Sequence, residues 1–290
     1  MTQDPEAANT RTPDLSIVVP AYNEAHNLLP RLARLAAFLA GQPYTYEVLV
    51  IDDGSEDDTA EIVEGFAAGR PSFRLLRNPH RGKAYAVTTG VMAARGRNVL
   101  LMDMDLATDL SHISEFVEAL EAGEGDILIA SREAPGAERK GTPASRRVMA
   151  KGFNLIVRTL LLPGLKDTQC GFKAFRAEVA RELFSNLLVF ADDRPVQGPL
   201  TTAFDVELLV MARHRGYRIR EMPVRWRHRE SRRVSALRDP YRMLVQVLKV
   251  WRNEKQGRYR PGAPRPGSAL VGARQDGGED VDVDREQEAG

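Results

Sequence analysis

At 290 residues, with 43% hydrophobic and 28% charged side chains, the chain has material for one large α/β domain with appendages and is too ordinary in composition for a fibrous or fully disordered protein. A formal net charge of +1 supplies no global field to draw nucleic acid, and a single cysteine, Cys170, excludes an internal disulfide and suggests no zinc site. No run approaches the ~18 apolar residues of a membrane span, and Met1–Pro13 lacks the apolar core of a signal peptide, so a membrane would be met at its surface.

In chain order, residues 1–13 read as a disordered leader, 14–256 as one folded domain and 257–290, with several Gly and Pro and many charges, as a disordered tail. Leu15–Val19 is a β-rich run ended by Pro20, and Leu28–Leu39 has helical periodicity. Glu47–Ile51 is a second strand, followed by Asp52-Asp53-Gly54-Ser55 and a helix to about Ala68. Phe73–Leu76 and Ala84–Ala94 repeat the unit, and Val99–Met102 is a fourth strand ending in Asp103-Met104-Asp105. Strands alternating with helices predict a mostly parallel sheet flanked by helices, with ligands at the carboxyl ends of the strands. Pro20–Glu24, Asp52-Asp53, Lys83 and Asp103/Asp105 all fall at those ends.

Farther along, Asp126–Ala130 predicts a strand ending at Ser131-Arg132, and about 144–162 a helix with Arg147, Lys151, Asn154 and Arg158 on one stripe. Asp167–Phe172 is a turn, and 177–184 and 204–214 are helices. Ile219–Trp226 is a late strand and Arg227–Arg233 a basic loop. A C-terminal amphipathic helix from Pro240 to about Asn253 would turn Tyr241, Leu244, Val247, Leu248 and Trp251 to one face. Cys170 beside Gly171 reads as a small buried residue, and the five histidines show no metal-ligand spacing.

An isolated Asp-x-Asp is usually only an acidic turn. Two carboxylates sharing one face at a strand end can also hold a hard cation such as Mg²⁺ or Mn²⁺, leaving positions open for phosphate oxygens. Several motifs in order favour the second reading. Val19-Pro20-Ala21-Tyr22-Asn23-Glu24, Asp52-Asp53-Gly54-Ser55, Gly82-Lys83, Asp103-Met104-Asp105, Ser131-Arg132, Asp167-Thr168-Gln169-Cys170-Gly171-Phe172-Lys173 and Phe204-Asp205-Val206-Glu207-Leu208 together resemble the inverting GT-A-fold glycosyltransferases of family 2. Within that family the chain is most similar to the dolichyl-phosphate or polyprenyl-phosphate β-glucosyltransferase and mannosyltransferase branch, over about Leu15–Trp251.

The resemblance implies a GT-A fold, a UDP-sugar donor (UDP-glucose first), a polyprenyl-phosphate acceptor at a membrane surface and Mg²⁺ or Mn²⁺ as cofactor. Pro20, Tyr22 and Glu24 would wall the nucleoside, with Asp53 accepting the base imide N–H. Asp103 and Asp105 would hold the metal, Met104 lies between them on the donor side, and Lys83 stands on the same rim. Arg132, Arg229, Arg232 and Arg233 would add positive charge at the departing diphosphate, and Asp105, Arg132 and Asp205 form the expected catalytic set. Asp205 and, more weakly, Asp167 are expected to face the sugar; Asp205 or Asp193 would serve as base if the acceptor were a hydroxyl. Two departures stand out: Ala107 occupies a position where mannosyltransferase relatives carry a ligating glutamine, and Arg232-Arg233 replaces a Ser-Lys pair. Eukaryotic glucosyl members carry an N-terminal anchor that this sequence lacks, so the expected location is the cytoplasmic face of a membrane, bound peripherally. Competing readings are a soluble family-2 transferase acting on a polysaccharide, glycolipid head group or small metabolite, and a non-catalytic nucleotide-sugar-binding protein.

Overall fold

The computed structural model describes residues 12–190, 203–229 and 238–262. Leu15–Ala21 (β1) and Tyr46–Asp52 (β2) pair in parallel from Leu15 opposite Tyr46 to Ala21 opposite Asp52. Phe73–Arg77 (β3) extends the sheet beyond β2, and Asn98–Leu101 (β4) beyond β1, both in parallel. The crossovers are Leu28–Ala40 (α1), Thr59–Ala67 (α2) and Lys83–Ala93 (α3). In α1 the buried residues Leu28, Leu32, Leu35 and Leu39 recur at helical spacing, so its apolar stripe faces the sheet.

Beyond β4 lie His112–Glu121 (α4), Ile127–Ser131 (β5), Glu138–Lys140 (β6) and Ala144–Leu160 (α5). Lys173–Arg176 (β7) runs antiparallel to both β4 and β5 and separates them, a reversal within an otherwise parallel sheet. Ala177–Phe184 (α6) and Phe204–His214 (α7) precede Ile219–Pro223 (β8), which pairs in parallel with β5. The main sheet therefore reads β3-β2-β1-β4-β7-β5-β8. Its central strands are apolar on both faces because helices cover both. Ile17, Val19, Val48 and Val50 pack with α1, α2 and α4, while Val18, Leu49 and Ile51 pack with α3 in the core shared by α6 and α7.

The single strand expected over 219–226 breaks at Val224. Pro223 has no amide to carry the ladder on. Val224 donates to the Ser131 carbonyl and accepts from Glu138 N, handing the chain to Arg225–Arg227 (β9), which pairs in parallel with β6. The last helix, Arg238–Lys255 (α8), divides the expected face between core and solvent. Val247 and Val250 enter the core, whereas Tyr241, Leu248 and Trp251 are exposed. The domain also passes the expected boundary at Gln256, since Tyr259 is fully buried and donates to Glu207 at 2.8 Å. Among the described residues no helix is long and apolar enough to cross a membrane.

Candidate active site

The carboxyl ends of β1 and β2 are stitched into one wall. Asp53 N donates to the Ala21 carbonyl, and Asn23 N, Glu24 N and Ala25 N donate to side-chain oxygens of Ser55, Thr59 and Asp57 at 2.7–3.1 Å. Glu24 also meets Arg31 at 3.1 Å. Gly54 must lack a side chain, because at φ +70° a Cβ would stand 2.7 Å from His80 N. Asp53 is buried, and its carboxylate accepts from Arg81 N (3.0 Å), Gly82 N (2.9 Å) and His80 Nδ1 (2.9 Å). Burial pushes its carboxyl up while these donors oppose the shift. Three of about four lone-pair positions are thereby used, so Asp53 organises the 80–82 loop besides whatever it offers a base. The Tyr22 ring stacks on His80 with centroids 4.0 Å apart and planes within 4°. His80 was invisible as a site residue, since its partners Tyr22 and Asp53 lie far off in sequence.

Asp103 and Asp105 do not share a strand face as expected. β4 ends at Leu101, and the two acids sit in the turn that follows, with Leu106 at φ +51°. Asp105 Oδ1 accepts from Ala107 N at 3.0 Å. Lys83, at the start of α3, places Nζ 2.5 Å from Asp103 Oδ1. Gly171 lies so close that a Cβ there would come within 2.2 Å of Asp103 Oδ2, which explains the glycine in the Gln-Cys-Gly turn. Burial would raise Asp103, but Lys83, Lys173 and Arg132 outweigh it and hold the carboxyl below its ordinary range. Burial and the charge of Asp103 together push Asp105 up to about 6. Burial lowers the Lys83 ammonium, and Asp103, Asp205 and Asp105 more than reverse this. Met104, expected beside the donor, instead buries its side chain in the core beneath the turn.

Among the described residues no group of three or more His, Cys, Asp or Glu could hold a metal. The donor set is thus two carboxylates carrying more negative charge than Lys83 neutralises. That suits a hard divalent cation, which would draw its remaining oxygens from a diphosphate and water.

Asp167 and Asp205 do not face open space. Asp167 is fully buried and accepts Arg132 N (2.9 Å), Nε (2.7 Å) and Nη2 (2.8 Å), a two-pronged clamp. Burial would raise Asp167, but Arg132 holds it well below the carboxylate range. The guanidinium also lies over Trp226, 5.4 Å from the ring centroid. Asp205, in the first turn of α7, takes a hydrogen bond from Lys173 Nζ at 2.6 Å. That ammonium, itself fully buried, also donates to the Cys170 carbonyl. Cys170 is buried as expected, and burial pushes its thiol up. Lys173 was missed because nothing local pairs a strand lysine with an acid 32 residues away.

Pro20 lies within β1, and Arg229 lines a cleft of about 240 Å³ that begins at Leu106 and Ala107. Arg34, Lys140, Arg225 and Arg227 also line it, opposed by Asp109 and Glu138. Arg232, Arg233 and Asp193 lie outside the described residues.

The profile of Glycosyl transferase family 2 matches residues 16–184, from β1 through α6. The chain belongs to glycosyl transferase family 2. Over 222 residues it is 36% identical to dolichyl-phosphate beta-glucosyltransferase of Trichomonas vaginalis, covering 73% of this chain and 63% of that protein. It therefore spans less than two thirds of that relative's length. The dolichyl-phosphate beta-glucosyltransferase of Dictyostelium discoideum is 34% identical over 81% of this chain and 72% of its own. Among solved structures, glucosyl-3-phosphoglycerate synthase from Mycobacterium tuberculosis, crystallised with Mn²⁺ and UDP-glucose, superposes with a TM-score of 0.57 at 21% identity, over 85% of this chain and 80% of that one. The mostly parallel sheet flanked by helices is the GT-A architecture that the motifs implied.

Proposed function

We propose that this family 2 protein transfers a hexose, glucose first among the candidates, from a UDP-sugar to a dolichyl or polyprenyl phosphate, with inversion and with Mg²⁺ or Mn²⁺. The observation that carries the reading is the contrast between the acids: Asp103 and Asp105 stand at the rim, while Asp205 is engaged by buried Lys173. Asp205 is thus taken up in a structural ion pair with Lys173 rather than turned toward an acceptor. A phosphate-monoester acceptor, with a second pKa near ~6, arrives as an anion and needs no base. The names of the Trichomonas and Dictyostelium relatives support the same acceptor, and the Mn²⁺–UDP-glucose complex supports the donor and the class of metal.

In this reading Tyr22, Glu24 and Asp53 bind the nucleoside end, with Tyr22 braced by His80. Asp103 and Asp105 would hold the cation, which would supply positive charge against that gathering on the diphosphate. Arg132, locked by Asp167, contributes a fixed positive charge, and Lys83, paired with Asp103, stands where it would meet a donor phosphate. The protein reaches its lipid by lying on the bilayer. α5 exposes Val148 (71%), Leu155 (62%) and Ile156 beside exposed Arg147, Lys151 and Arg158, a pattern of apolar insertion with attraction to anionic lipid.

The test is a panel of UDP- and GDP-sugars offered with dolichyl phosphate or with hydroxyl acceptors, in Mg²⁺, Mn²⁺ or chelator. UDP-glucose with dolichyl phosphate should give a lipid-linked glucose only when metal is present. Transfer confined to hydroxyl acceptors would replace the reading by its soluble rival, and donor binding without turnover would favour a non-catalytic protein.

A further inference from the structure

We propose that the C-terminal end of α8 carries a second phosphate-binding site, apart from the catalytic rim, which takes the head group of an anionic phospholipid. A cavity of about 380 Å³ lies there, lined by Lys249, Arg252 and Arg258 with two side-chain amides, and among the described residues no carboxylate lines it. The helix dipole accounts for cations in the last turn of a helix, where Arg252 and Lys255 stand. It does not account for Lys249 one turn earlier, or for Arg258 beyond the helix end.

The site is built rather than incidental. At Gly257, with φ +68°, the chain reverses; Arg258 N then donates to the Asn253 carbonyl and its guanidinium to Asn253 Oδ1. Tyr259 buries its ring and donates to Glu207. Leu188 and Val189, which supply the apolar part of the lining, donate their backbone amides to the same carboxylate at 2.9 Å. One buried acid thus ties both sides of the cavity together.

Three cations lining one cavity, with no acid beside them among the described lining residues, fit a phosphate oxyanion, and the volume leaves space for the group esterified to it. Exposed Leu248 and Trp251 alternate with Lys249 and Arg252 along α8, and tryptophan favours the membrane interface. The anion site stands without the transferase reading, whereas the choice of a lipid as its source rests on the membrane part of that reading.

The test uses the full chain, without sugar donor, and vesicles of phosphatidylcholine alone or doped with phosphatidic acid. Wild type should partition to the doped vesicles, and Lys249→Gln/Arg252→Gln/Arg258→Gln should weaken that partition by on the order of a hundredfold while circular dichroism stays unchanged. Tyr259→Phe keeps all three cations but releases the turn from Glu207, and should lose part of the partition. A triple variant that partitions like wild type, or a Tyr259→Phe protein with full partition, overturns the site. Inorganic phosphate at constant ionic strength is the second arm, read by hydrogen exchange at 256–260. Protection by phosphate with no binding to doped vesicles overturns the lipid assignment. Transfer to a short water-soluble lipid phosphate should be unaffected in the triple variant, so failure of this site and failure of the transferase reading give different results.

Discussion

Two stretches of this chain look alike on paper: Asp103-Met104-Asp105 and Asp205-Val206-Glu207, each a pair of acids with one apolar residue between. The fold gives them opposite fates. The first follows β4 into a turn at the rim, where Lys83 meets one acid and the other is pushed up to about 6. The second lies on α7, where residues two apart diverge by about 200° around the axis. Asp205 goes to Lys173, and Glu207 goes to the amides of 188–190 and to Tyr259. In the turn the backbone leaves both acids at one rim, where they could share a cation; on a helix interior the same spacing separates them into two structural jobs.

The sharpest way to break this contrast is Asp105→Asn. If the rim pair holds the cation, the variant keeps its fold and loses transfer by about a thousandfold or more, several kcal/mol of charge stabilisation at the leaving diphosphate. Metal-dependent turnover near the wild-type level would remove Asp105 from the site. On α7 the corresponding change should act on stability instead. Glu207→Ala strands three backbone amides and a buried hydroxyl, and should cost about 3 kcal/mol in urea unfolding. A shift below about 0.5 kcal/mol, the range of neutral surface changes, would mean that these donors find other partners.

Gly171→Ala probes how closely the rim pair is held. Its methyl would sit 2.2 Å from Asp103 Oδ2, so the carboxylate must move by an ångström or so. Displacement of that size at a reacting centre can cost about a hundredfold. The expected result is a large loss of turnover with an unfolding midpoint near wild type; unchanged turnover would show that Asp103 tolerates the shift.

Much of this was legible in the sequence where short-range pattern decides. β1 to β4 and their helices follow from apolar runs alternating with helical stripes, and the position of Asp53, Lys83 and Asp103 at the carboxyl ends of the strands follows from parallel topology. Pairings across long separations left no local trace. Asp167 gave no sign that it would clamp Arg132, and Lys173, the fully buried first residue of β7, makes sense only once α7 brings Asp205 to it. On α8 the expected face is divided: Val247 enters the core together with Val250, while Tyr241, Leu248 and Trp251 are exposed, because apolar residues lie on more than one side and periodicity does not say which strip is covered.

The finest test of the contrast is the pH dependence of the buried acid. Burial raises the Glu207 carboxyl above its ordinary value of 4.5, and the amides and Tyr259 hydroxyl only partly offset this. Between 4.5 and the raised value the folded protein keeps a proton that the unfolded chain has lost. The folded state then binds more protons, so stability falls as pH rises through this window and levels off above the raised value. Glu207→Gln has no proton to exchange. Other carboxylates and histidines titrate over the same range, so the quantity to measure is the unfolding free energy of wild type minus that of Glu207→Gln. That difference should decline as pH is raised from 4.5 and then flatten. A difference that grows with pH would mean that the amides of 188–190 stabilise the anion more than burial penalises it. Glu207 would then be a buried charge, held by backbone donors much as Asp103 is held by lysine.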